Sequence, residues 1–97
     1  MMAKEDIQRT LKTHGNIMKA DGLDDAIIGV ATRPNMEDVL AYDVDKIIDI
    51  LIERDGMTEE EAYDFYGYNI ASAWVGDTTP VFIERNEYFV QEIKDNA

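Results

Sequence analysis

A helix stop followed almost at once by a helix start constrains this chain more than any other feature. Asp55-Gly56 is the stop, because glycine takes the left-handed cap conformation without a Cβ clash. Thr58-Glu59-Glu60-Glu61 is the start, a capping box. In that motif the Thr58 hydroxyl accepts the backbone N–H of Glu61, and the Glu61 carboxylate accepts the N–H of Thr58. Three glutamates also suit the positive end of a helix dipole, and Met57 and Ala62 occupy hydrophobic-staple positions. Residues 43–82 therefore read as two helices joined by a capped turn, followed by a turn into a strand.

Periodicity assigns faces to these elements. Val44, Ile47, Ile48 and Leu51 mark one side of the first helix, widened by Ile50 and Ile52, while Asp45, Asp49 and Glu53 line the other. The second helix is predicted to run to about Val75, with Ala62, Phe65, Tyr66, Asn69, Ile70 and Ala73 on one side. Gly76-Asp77 turns the chain, and Pro80 precedes a short apolar strand, Val81-Phe82-Ile83.

Upstream, residues 26–33 are rich in β-branched side chains and read as a strand, with 38–42 as its return after a turn at Pro34-Asn35. Gly29 marks either a bulge or the close approach of a packed helix. Downstream, residues 86–94 read as a final helix capped by Asn86, with Phe89, Val90 and Ile93 facing inward. Ile7, Leu11, His14 and Met18 place a helix over residues 3–20, weakened by Gly15 and stopped at Asp21-Gly22. Residues 1–20 are either a separate helix or a mobile arm. The expected fold is α+β, one small domain over 1–97: a β-hairpin plus a third short strand, two central helices packed on the sheet, and flanking N- and C-terminal helices.

Composition narrows the function. There is no cysteine, which removes disulfides, thiolate nucleophiles and thiolate metal sites. No apolar run approaches the roughly 20 residues of a membrane span, and the N-terminus lacks a signal-type segment. The expected location is cytoplasmic. The net charge is −12, but residues 1–20 carry four basic against two acidic side chains. The rest carries five against nineteen. So acidic a body repels nucleic acid and anionic lipid, and a steered partner would be a protein with a basic surface. Solubility alone explains the same charge.

No catalytic set emerges, and the reading is non-enzymatic with no cofactor. His14 is the sole histidine and Ser72 the sole serine, so a Ser72–His14–Asp triad would need a coincidence of folding. Asp21, Asp24, Asp25, Asp43 and Asp45 are dense enough to suggest a hard cation, or a metal-dependent enzyme or binder. Asp43 and Asp45 are better explained by capping the helix start, and Ile48 stands where an EF-hand loop needs glycine. Neither run is assigned a metal.

Three features remain. Asn69 falls on the predicted core side, where an amide must be hydrogen-bonded. It either ties down the backbone between Gly76 and Pro80 or lines a pocket. Tyr63, Tyr68 and Trp74 are too many rings for one core and form a candidate interaction surface, for a partner or a homodimer. Asp45, Asp49 and Glu53 form an acidic stripe whose carboxylates, about 6 Å apart, could imitate a phosphate backbone and inhibit a nucleic-acid-binding enzyme.

The motifs also carry a resemblance. Tyr42-Asp43, Asp45-Lys46, Gly56-Met57, Glu61-Ala62, Phe65, Asn69, Val75-Gly76, Thr79-Pro80 and Phe82 together resemble a group of small, uncharacterised, acidic bacteriophage and prophage proteins. The match covers residues from about 26 to 83. It implies a viral or mobile-element origin, hence a host cytoplasm, and implies no activity or site. The expected function is that of a phage accessory protein acting by protein–protein binding.

Overall fold

A computed structural model describes residues 18–73 and 76–96. It has an α+β fold built on a three-stranded mixed sheet of order β1-β2-β3. The strands are β1 (Ile27–Ala31), β2 (Val39–Asp43) and β3 (Val81–Ile83). Helix α1 (Val44–Asp55) follows β2 without a break, α2 spans Glu59–Phe65, and α3 spans Glu87–Asp95. Of the helix predicted over residues 3–20, positions 3–17 lie outside the described residues, and 18–20 are not helical.

β2 is the central strand and is buried throughout. β1 pairs with it antiparallel, from Ile27 opposite Tyr42 to Ala31 opposite Val39. The register slips between Ile27 and Gly29, which makes Gly29 the bulge marker of the two readings. A Cβ there would meet nothing within 4 Å, so no helix presses on it. β3 joins the other side of β2 in parallel, an arrangement the intervening helices make possible.

Leu40 and Tyr42 from one face of β2 meet Val44, Ile47, Ile48 and Leu51 of α1 in a single cluster with Leu23, Ala26, Ile27 and Ala62. Tyr42 and Phe82 meet at a tilt of 38°, with ring centroids 5.8 Å apart. Tyr66 meets Phe82 edge-on at 5.7 Å. These rings tie β2, β3 and the chain after α2 together.

The local signals of the central helices are present as read. Gly56 caps α1 with φ 71°. Thr58 Oγ accepts from Glu61 N at 3.1 Å, and Glu61 Oε1 accepts from Thr58 N at 3.0 Å. Hydrogen bonding to the Glu61 carboxyl, from the Thr58 backbone N–H first and the Thr58 side chain second, holds it below its ordinary range. A lowered folded pKa gives stability that is complete above the unfolded value near pH 4.5 and is lost as pH falls through the folded one. Glu61→Gln keeps an acceptor for the box but cannot titrate. In urea denaturation across pH 3–7, the difference between wild type and this variant should shrink on the acid side, and a pH-independent difference would contradict the assignment.

α2 is shorter than predicted. From Tyr66 to Ala71 the chain continues as a π-helix, with wider i→i+5 turns. Tyr66 and Ile70 still pack on the core cluster. Asn69 does not: it is exposed.

α3 departs furthest from expectation. Asn86 caps it, accepting from Phe89 N at 3.0 Å, but no residue of the helix is buried. Phe89, Val90 and Ile93, predicted to face inward, are 56%, 45% and 54% exposed, and Tyr88 is 79% exposed. The 3.6 period marks an apolar face and does not say what covers it.

Candidate functional site

α3 is fixed to the body at its root. Asp43 ends β2, pairs in register with Ile83 and caps α1 by accepting from Lys46 N at 3.3 Å. Its other carboxylate oxygen meets Arg85 Nε at 3.1 Å, with the Asp43 side chain buried and Arg85 largely exposed. The metal ligand that Asp43 could have been is thus a cap and an anchor for the link between β3 and α3. Asp43→Ala should cost about 1–3 kcal/mol, from the lost cap and charge-assisted bond. Asp43→Asn, which keeps the cap, should cost less. Equilibrium denaturation checks the order, and equal losses would mean that the cap contributes nothing and the charge on Asp43 accounts for the whole effect.

Among the described residues, no group of three or more His, Cys, Asp or Glu side chains could hold a metal ion. Ser72, from the suggested triad, donates its hydroxyl to the Tyr68 carbonyl at 2.7 Å, and His14 lies outside the described residues.

The acidic stripe is where periodicity put it. Asp45, Asp49 and Glu53 are exposed on α1. Glu53 also borders a depression with Asp24, Asp25 and Arg54, which Asp45 and Asp49 do not reach.

The aromatic surface is divided. Tyr68 is 83% exposed and Tyr63 is 46% exposed. Tyr68 and Asn69 come together with Phe65, Met57, Glu61 and Asp64 around a shallow depression of about 360 Å³. Tyr63 does not border it, and Trp74 lies outside the described residues.

Asn69 also lines a deeper cleft, of about 400 Å³, walled by Leu23, Leu51, Phe65, Ile70, Ala73 and Phe82. Asn69 is thus at a cleft, and no side-chain hydrogen bond ties it to the turn at 76–80 among the described residues. The turn at 76–80 is held instead by Thr79, whose hydroxyl donates to the Gly76 carbonyl at 2.6 Å. Arg33 Nη2 adds a bond to the Asp77 carbonyl at 3.2 Å. Asn69 stays with Phe65, Ile70 and Ala73, the residues that spacing put on its side, but lies exposed along the cleft and not in the core.

Sequence reasoning missed two surfaces, the apolar face of α3 and the cleft. The first was visible as a stripe but was given to the core. The second depends on how distant segments meet and had no local mark. No helix among the described residues is long and apolar enough to cross a membrane. No protein-family model, curated protein or solved structure matches this chain.

Proposed function

We propose that this chain is a non-enzymatic accessory protein, of phage or prophage type, that acts by binding another protein through α3. The observation that carries the reading is the exposed row of Phe89, Val90 and Ile93 on a nine-residue helix with nothing buried. Amphipathic helices with free apolar faces lie in grooves of partner proteins, read as anchors at i and i+3 or i+4. Glu87, Glu92 and Asp95 flank the row, and the whole chain carries −12. The fitting partner is a protein with an apolar groove and a basic rim. The resemblance to phage proteins, carried by the sequence motifs alone, implies a partner in a bacterial host or the virus itself.

The test compares immobilised wild type with Phe89→Asp/Ile93→Asp as bait in a host lysate, with size-exclusion chromatography of both. The expected result is a protein held by wild type and lost by the variant. Equal capture by both would overturn the reading. Loss of a wild-type dimer, with no other protein held, would reassign α3 to self-association.

A second reading rests on a separate observation. Asp45, Asp49 and Glu53 are exposed and make no ion pair among the described residues. That leaves the stripe free to occupy a basic nucleic-acid groove as an inhibitor. Charge reversal at the three positions should abolish inhibition of such an enzyme, and undiminished inhibition removes this alternative.

A further inference from the structure

We infer that the apolar cleft is a docking site for the chain's own first seventeen residues, held there by Ile7 and Leu11 and by the basic charge of the segment. This inference is independent of the partner proposed for α3.

The cleft begins where the described chain begins. Met18, Lys19 and Ala20 form part of its wall. Ala20 N donates to the Tyr42 hydroxyl at 2.8 Å, and Lys19 Nζ pairs with Asp24 at 3.2 Å. Tyr42 is itself fully buried, so the Ala20 bond fixes residue 20 to the core, with Lys19 held beside it by a surface ion pair. Whatever precedes them starts at the cleft mouth. A tether that short gives a local concentration on the order of millimolar.

The segment has the chemistry to fill the site. Ile7, Leu11 and Met18 recur at helical spacing, and seventeen residues reach about 25 Å as a helix. The opposite wall offers Phe65, Ile70 and Phe82, with Phe65 39% exposed. Lys4, Arg9 and Lys12 are matched by Asp21 at the cleft. Glu61 and Asp64 add to this from the adjoining depression, which shares Phe65 and Asn69 with the cleft. Residues 1–20 carry a positive balance against a strongly negative remainder, so attraction is the default at ordinary salt.

A small ligand fits less well. Specific pockets use a few converging polar groups, and the cations here are committed. Arg54 donates to Asp55 at 2.9 Å and to the Gly22 carbonyl at 2.6 Å, and Lys19 is paired.

The chain has no cysteine, so a single nitroxide can be placed without ambiguity. Asn69→Cys is suitable, being exposed at the cleft rim with no side-chain bond to another described residue. The full-length labelled chain is observed by NMR at low concentration. Residues next to Met18 are close to the label by tethering alone, so the readout is residues 4–11. Their amide signals should be lost with the label oxidised and return when it is reduced. Ile7→Asp/Leu11→Asp in the same labelled chain should restore them with the label oxidised. Signals unaffected by the label, or loss that survives the double substitution, would overturn the inference. Loss that appears only when labelled and isotope-enriched copies are mixed would also overturn it, assigning the cleft to a second copy.

Discussion

Replacing Ile47 with alanine is expected to cost about 2–5 kcal/mol of stability, the range for emptying a filled core position. Ile47 has no exposed surface and sits in the cluster where α1 meets Leu40 and Tyr42 of β2. A domain of this size has a total margin of only about 5–15 kcal/mol. One side chain therefore removes a large part of it, and the melting temperature should fall by roughly 10–30 °C. Urea and thermal denaturation followed by circular dichroism measure the loss, with the urea slope unchanged if only stability moves. A loss below about 1 kcal/mol would mean that the α1 face is not the centre of the core.

The double substitution Phe89→Asp/Ile93→Asp should do the opposite. Both residues are more than half exposed, so folding stability should change by less than about 0.5–1 kcal/mol. Partner affinity should fall by roughly 100–1,000-fold. Two anchors at about 2 kcal/mol each support that figure, since each 1.4 kcal/mol is about tenfold in Kd. Isothermal titration with the captured partner gives the affinity, and denaturation of the variant gives the stability. If α3 packed on the body instead, the same pair of charges would cost several kcal/mol of folding and reveal itself as destabilisation. The contrast between Ile47 and Ile93 separates a buried face from an exposed one, two things that hydrophobic spacing writes identically.

That contrast also shows how much the chain discloses in its own letters. Gly56, Thr58 and Glu61 act through bonds to residues three or four positions away, so their roles were legible from the residues themselves. The burial of Val44, Ile47, Ile48 and Leu51 followed from the 3.6 period. The two exposed candidate sets divided. The acidic stripe stayed on the surface of α1, and Tyr68 and Asn69 came to one depression without Tyr63. Asn69 lies with Phe65, Ile70 and Ala73 as spacing placed it, but exposed along the cleft, and nothing in Tyr66–Ala71 spells the π-helix that carries it. The parallel pairing of β3 with β2, the Arg85–Asp43 contact and the cleft all depend on segments far apart in the chain. Long-range geometry of that kind has no local spelling.

The irregular start of β1 and the brevity of β3 have a consequence for assembly. These two strands are the outer edges of the sheet. β1 is kinked by the slip at Ile27–Gly29, and β3 is three residues long. Bulges and short strands deny a foreign strand the straight run of free N–H and C=O groups it needs to zip on. Growth by strand addition, the usual route to fibres, is thereby obstructed at both margins. With both margins blunt, any partner would have to be met by side-chain fit, as on the exposed apolar face of α3, and not by strand pairing.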